Sequence, residues 1–541
     1  MKNQVKSKRT SFVQPMLLIM GSFIALFIII LFGGCSNNDD PVPGNDLPEL
    51  TGNSVTYNLT AASGSGVSGT VVFAETTENT TLVTINISGG TSGDVHPVHI
   101  HQNSKIEGGG IVISLGEIDG TTGKQEIEVK TRDDDTGIGY EDLVNFDGHI
   151  NIHASPSDLG TILAYTDVGG NAFTGLEEDF DLFGKTEPDL KGEVLFQERK
   201  SGETLVTVKI ENYSGTENLP NHIHANNAAE GGGIVISLNG IDASTGIGIT
   251  NVGTKDDDTP VSFSELKEFD GHLNVHKSES ELQSVILQGD IGQNELTSEE
   301  EVYDLMSKTG DNVSGTATFT KRRNNETLVT LVLSNTLDGF SHPAHIHSNT
   351  AAEGGGIAID LTSVNGDNGM SMTNISKFND DTPITYDELV EIDGYINIHL
   401  SGEQLGTIVA QGDVGQNALT GNSTGYELSS AGGSVVSGTV TFFERKNETT
   451  LVEISLTGTS GGDSHPAHIH TNDVISGGGI IIGLTSVDGI TGKSLTQVEA
   501  LDDETPVTYN EMIDINGHVN VHKSSNDLSV IANGNVGGNA N

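Results

Sequence analysis

The chain has 541 residues, more than one hydrophobic core accommodates, so several domains are required. Lys and Arg number 25 against 75 Asp and Glu, and the resulting formal charge of −50 excludes a duplex nucleic-acid binder and disfavours anionic partners. Glycine at 69 residues, the lack of Trp and a single cysteine, Cys35, argue against long helices and exclude intrachain disulfides and thiolate metal sites.

The chain opens with Lys2, Lys6, Lys8 and Arg9 and no acid, followed by the apolar run 16–32. This pattern predicts an export signal over residues 1–35. The run ends in Leu31-Phe32-Gly33-Gly34-Cys35, which resembles a bacterial lipobox, with Phe32 where that pattern usually has Leu. The resemblance implies cleavage before Cys35, acylation of its thiol, and a protein held on the membrane by a lipid anchor. The run is also nearly long enough to remain as an uncleaved membrane anchor, and either outcome places the remainder outside the cytoplasm. Residues 36–52 read as a polar tether. Its Ser36-Asn37-Asn38-Asp39-Asp40 resembles the acidic stretch that sends some Gram-negative lipoproteins to the outer cell surface.

From there the sequence repeats. His99, His222, His345 and His468 open the same His-Ile-His segment at an offset of 123 residues, and the offset also relates Gly69, Gly192, Gly315 and Gly438. Four copies follow, at 53–175, 176–298, 299–421 and 422–541, each long enough for its own core. In copy one the segments SGTVVFAE, TLVTINI, HPVHIH, GIVISL, HINIHA and TILAYTDV have strand length and alternation between turn residues. The expected fold is all-β: four tandem β-sandwich or barrel domains, each with one short helix. The helix is placed before HINIH by capping-box spacing at Ser262/Glu265, Thr385/Glu388 and Thr508/Glu511, with Gly148, Gly271, Gly394 and Gly517 as its stop.

All 18 histidines fall into five columns of the repeat. The HxH pair supplies His99 and His101, His222 and His224, His345 and His347, and His468 and His470. HxNxH supplies His149 and His153, His272 and His276, His399 alone in copy three where Tyr395 takes the other place, and His518 and His522. The first column, His96, His342 and His465 with Leu219 in copy two, is the weakest ligand candidate because Pro97 interrupts the strand. Residues two or four apart on a strand share a face, so each motif aims two imidazoles one way and leaves Ile100, Ile150 and Ile152 for the core. If the two strands pair, the rings come close enough to hold Zn²⁺ or Cu²⁺ through neutral nitrogens. The competing structural reading is hydrogen-bonded histidines on a half-buried sheet face.

Acidic runs precede each helix: Asp133-Asp134-Asp135, Asp256-Asp257-Asp258, Asp380-Asp381 and Asp502-Asp503-Glu504. No EF-hand spacing accompanies them, so turn formation is preferred to calcium. Asp147, Asp270 and Asp393, with Asn516 in copy four, either orient a histidine or shape a turn. The triple glycines beginning at Gly108, Gly231, Gly354 and Gly477 lack the Lys-Ser/Thr of a phosphate loop and predict close passage of backbone.

SGTVVF, HIHQNSKIEGGGIVISL, GHINIHAS and TILAYTDV together resemble the CHRD, or chordin-type, domain, and Tyr395-Ile396-Asn397-Ile398-His399 is similar to its late strand. The family's terminal Arg-Gly-Gln is absent, with Gln288-Gly289 and Gln411-Gly412 retaining part of it. The resemblance implies extracellular β-domains that bind partners, here a protein or glycan ligand at the cell surface. HIH on a strand is also similar to Cu/Zn superoxide dismutase, which implies an oxidoreductase as the alternative. Against the enzyme stand the missing disulfide pair, the lack of a shared arginine near the motif, and a charge that repels an anionic substrate. The expected protein is a surface-tethered binding or structural lipoprotein with a copper or zinc site in each repeat.

Overall fold

The computed structural model describes residues 47–310, 312–459 and 461–540. The export segment, the Cys35 motif and most of the tether lie outside them. Among the described residues no helix is long and apolar enough to cross a membrane.

Copy one is built from β1 (Leu50–Ala61), β2 (Ser68–Thr76), β3 (Thr81–Ser88), β4 (Val95–Gln102), β5 (Ile111–Asp119), β6 (Lys124–Val129), α1 (Tyr140–Val144), β7 (Asp147–Ser155) and β8 (Asp158–Gly169). The strands form an antiparallel closed barrel in the order β1-β2-β3-β6-β5-β4-β7-β8, sealed where Thr60 of β1 faces Tyr165 of β8. The same order recurs from Phe173–Gly184 to Val285–Gly292, from Leu296–Ser307 to Ile408–Gly415, and from Leu419–Ser430 to Asp527–Gly537. The third copy is closed like the first. In the second and fourth the ladder between the fifth and sixth strands is missing, which leaves an eight-stranded sheet of unchanged order. The described residues are therefore all-β, with four tandem barrel or sandwich units and one short helix in each.

Alternation decides which face each side chain takes. Val71, Phe73, Val83, Ile85, Val98, Ile100, Ile150 and Ile152 are all fully buried in the first core. Each such side chain withdrawn from water contributes about 1.5–3 kcal/mol before chain entropy is charged against it. The capping boxes are present: Ser262, Thr385 and Thr508 each accept from the N–H three residues on, and the matching Glu accepts from their own N–H at 2.9, 2.9 and 2.8 Å. The glycine stop is a different matter. Helix α1 ends at Val144, and Gly148 lies inside β7, where a Cβ would sit 2.6 Å from both the His101 carbonyl oxygen and the Phe146 ring. It is a close-approach strand glycine next to the histidines, not a helix cap.

Only three residues separate β8 from β9 (Phe173–Gly184), the first strand of copy two, and β10 (Lys191–Arg199) ends at the junction. The Arg199 side chain is completely buried there. Its Nη1 donates to Asp167 Oδ2 of the preceding copy at 2.8 Å and to the Asn171 carbonyl, while Nε donates to Asn251 Oδ1 at 2.7 Å. The guanidinium also lies 5.1 Å from the centre of the Phe173 ring. Arg322 with Asp290 and Arg445 with Asp413 repeat the arrangement, both at 2.7 Å. Thr76 holds this column in copy one.

Candidate metal centre

Strands β4 and β7 pair antiparallel, with His101 opposite His149 and His99 opposite Asn151. The pairing recurs as His224 with His272, His347 with Tyr395, and His470 with His518. Because Ile100, Ile150 and Ile152 face the core, the imidazoles project from the other face.

Three rings per copy converge. One ring nitrogen from each of His99, His101 and His153 lies within 4.8 Å of the other two, and the same holds for His222, His224 and His276, for His345, His347 and His399, and for His468, His470 and His522. These are the three columns that are histidine in all four copies.

Hydrogen bonds fix which nitrogens are available. A carbonyl oxygen only accepts, so His101 Nδ1 must donate to the Gly109 carbonyl at 3.0 Å, and His153 Nδ1 to the Leu159 carbonyl at 2.6 Å. Their Nε2 atoms then carry free lone pairs, and both are buried without a partner, as is Nδ1 of His99. The same carbonyl contacts hold His224, His347 and His470 through Gly232, Gly355 and Gly478 at 3.0, 3.0 and 3.1 Å. His399 and His522 donate to Leu405 and Leu528 at 2.5 and 2.7 Å. In copy two Nε2 of His276 is buried and unpartnered, and the Leu282 backbone faces the ring as Leu159 does in copy one. A buried polar atom left unpaired costs about 1–3 kcal/mol, and a metal ion shared by three such lone pairs removes that cost. A backbone carbonyl behind a ligand ring is also how metal-binding histidines are ordinarily oriented. The residues therefore fit a transition-metal ion.

His149 stands beside this group. It stacks on His101 with ring centres 5.0 Å apart, donates through Nδ1 to the Asn103 carbonyl at 2.8 Å, and faces the Asn151 amide at 3.3 Å through Nε2. Both its nitrogens are engaged. His272 and His518 repeat the stack on His224 and His470, and in copy three Tyr395 stacks on His347 at 4.9 Å. His96, His342 and His465 are buried core residues whose Nδ1 donates to the carbonyls of Ala154, His399 and Lys523, and Leu219 fills the same place without exposure.

At the triple glycine backbone passes closely, as the sequence predicts, since a Cβ on Gly109 would sit 2.0 Å from the Gln102 carbonyl oxygen. Three features go beyond the sequence: first, the middle carbonyl of the triple glycine orients a ring. Asp133 does more than shape its turn: it accepts from Ser114 N and Oγ at 2.8 Å each and faces His99 electrostatically, as Asp256 and Asp502 face His222 and His468. In copy three the pair is exchanged, with Asn379 in the aspartate column and Asp360 in the serine column, 3.8 Å from His345 Nε2. A carboxylate near the first triad histidine thus survives in every copy. Third, Asp147 touches no histidine but accepts from Asn171 Nδ2 at 2.8 Å, at the junction to the next copy.

Burial lowers the pKa of His99, His149 and His153 below the usual histidine value, with neighbouring imidazoles adding to the effect at the first. His276 is lowered furthest, to about 4, first by burial and then by His222. A histidine depressed in the folded state contributes stability that is complete above 6.5 and is lost as pH falls from 6.5 towards 4, because the unfolded chain takes up a proton the folded chain refuses. In chelator-treated protein the denaturation midpoint of the second repeat should therefore fall across that window more steeply than in a His276→Gln variant. Parallel pH profiles for the two proteins would contradict the assignment.

No family model matches the chain, and no curated protein matches it. Among solved structures, a tetra-tandem repeat from the extending region of a large adhesion protein aligns at 11% identity over 85% of this chain and 95% of its own, with a TM-score of 0.11. The BSP domain of a biofilm associated protein aligns at 9% identity over 94% and 99%, with a TM-score of 0.14. Superpositions this loose carry no argument about the role of the chain.

Proposed function

We propose that this is an exported, lipid-tethered array of four barrels, each binding one copper or zinc ion through three imidazoles. The observation that carries the reading is the convergence of three ring nitrogens in all four copies, all three of them buried and partnerless in the first, with the second ring of each triad turned by a backbone carbonyl. A bound ion would supply Lewis acidity, and copper also a redox couple. The chain supplies neutral ligands, holds two of the three rings by their far nitrogens, and shields them from water. Its charge of −50 concentrates cations and repels anions such as superoxide, which favours metal binding and display over turnover of an anionic substrate. Acylation of Cys35 would hold the array at the membrane. Four linked copies would multiply weak contacts to a protein or glycan ligand, the partner class that the chordin-type resemblance implies.

The test is elemental analysis of the purified chain after loading with Cu²⁺ or Zn²⁺ and desalting. Four ions per chain are expected, falling to none when one triad histidine in each copy is replaced by alanine. A metal content unchanged by those replacements would refute the triads as the site.

A further inference from the structure

Each junction arginine bonds an aspartate of the preceding copy that holds a loop beside that copy's triad, and the inference drawn from this rests on the metal reading above. The segment 226–233 carries the carbonyl that orients His224, a member of the copy-two triad, and the carbonyl that orients His272, the ring stacked on it. Gly232 accepts from His224 Nδ1 at 3.0 Å and Asn226 from His272 Nδ1 at 2.9 Å. The segment is held from below by Asp290, whose Oδ1 accepts from the Ala228 N–H at 2.6 Å. The other oxygen of that carboxylate accepts from Arg322 Nη1 at 2.7 Å, and Arg322 belongs to copy three. Arg322 Nε also donates to Asn374 Oδ1 at 2.7 Å, and the Asn374 amide donates back across the junction to Glu230 of the same segment at 3.4 Å.

The preceding junction is built alike. Arg199 bonds Asp167, Asp167 accepts from the Lys105 N–H at 2.7 Å, and Asn251 donates to Glu107 at 3.4 Å. At the third junction Arg445 bonds Asp413, which accepts from the Ala351 N–H at 2.7 Å. Copy four departs: Asn535 takes the aspartate's place and accepts from the Val474 N–H at 2.8 Å, and no arginine reaches it among the described residues.

We propose that each junction arginine is a positioning residue for the metal site of the repeat before it, so that the affinity of a repeat depends on its C-terminal neighbour. A charged clamp on the aspartate fixes that segment and hence the tautomer and aim of one ligand ring, His224 in copy two, together with the ring stacked on it. Outer partners of this kind change metal affinity by about 10- to 100-fold.

The experiment uses the full chain with three triads disabled. With only the second site intact (His99→Ala, His345→Ala, His468→Ala), Arg322→Met should weaken Zn²⁺ binding, read by competition with a chromophoric chelator, by about tenfold. With only the third site intact, the same substitution should change affinity by less than about twofold, although Arg322 is part of copy three. Asp290→Asn, which leaves the arginine in place, should reproduce the loss at site two. An arginine that merely stabilised its own repeat would give the reverse pattern, and that pattern, or no change at either site, overturns the proposal. Amide exchange at Ala228 and Ala229 in chelator-treated protein supplies a readout that needs no metal: it should quicken in Arg322→Met, and unchanged exchange also overturns the proposal. Failure of the unsubstituted chain to take up Zn²⁺ would instead remove the metal reading.

Discussion

His276→Ala is expected to abolish metal binding at the second repeat, taking the chain from four bound ions to three, whereas His272→Tyr is expected to leave the fourth ion in place. The two residues sit four apart on one strand and face the same way, so sequence spacing treats them as equals. The geometry separates them. His276 contributes a nitrogen to the converging group, and its Nε2 is buried without a partner. His272 donates to the Asn226 carbonyl, meets the Asn274 amide at 3.3 Å, and offers its ring face to His224. Copy three already carries the milder change: Tyr395 stacks on His347 with an interplanar angle of 18°, and its hydroxyl accepts from the Gly355 N–H at 3.1 Å, steadying the turn that orients His347. Loss of a direct ligand should weaken binding by more than about 100-fold, above the range for an outer partner. Metal content after desalting, measured for the two variants in parallel, decides the matter. Equal loss in both would return His272 to the ligand set.

That contrast marks how far the sequence was legible. A period of 123 residues made the architecture readable, because the His-Ile-His, early-strand and triple-glycine landmarks recur at that offset and strand alternation recurs with them, with a slip of one residue only near the end of copy four, where Asn535 follows Asp413 by 122. The sequence put four histidines of each copy in one site, and only the geometry separates the three columns that converge from the column of His149, His272 and His518, whose rings stack beside them as Tyr395 does in copy three. What spacing could not reveal was where the second nitrogen of each ring goes, since the carbonyls of Gly109, Asn103 and Leu159 come from turns whose paths depend on the whole barrel. The arginine column at Arg199, Arg322 and Arg445 was present in the repeat but distant from the histidines in sequence. It reaches the site only across a junction between domains. Gly148 was misplaced because a glycine after a short helix satisfies the capping pattern equally well, and only the closeness of the His101 carbonyl shows which demand it meets.

The glycine column of the second strand is where a single methyl group should cost most. Gly315 lies in Ser314–Arg322, opposite Leu333 on one side and Leu305 on the other, and a Cβ there would stand 1.9 Å from the Val332 carbonyl oxygen. Gly69, Gly192 and Gly438 meet the same obstacle at 1.9, 2.6 and 2.0 Å. None of the four has a positive φ, so conformational freedom is not what selects glycine. The selection comes from neighbouring backbone, which cannot rotate away as a side chain could. Gly315→Ala must push apart two ladders of the third barrel, and the expected cost is about 3 kcal/mol or more, beyond ordinary overpacking of a core. Gly356→Ala is the matched control, since nothing lies within 4 Å of its added Cβ and its φ is not positive, and it should change stability by less than about 0.5 kcal/mol. Urea denaturation followed by amide exchange in the third copy distinguishes them. A Gly315→Ala protein as stable as its control would mean that the second and third strands are not packed at the spacing that gives this barrel its shape, and the placement of His345 and His347 on the strand two further along would lose its support.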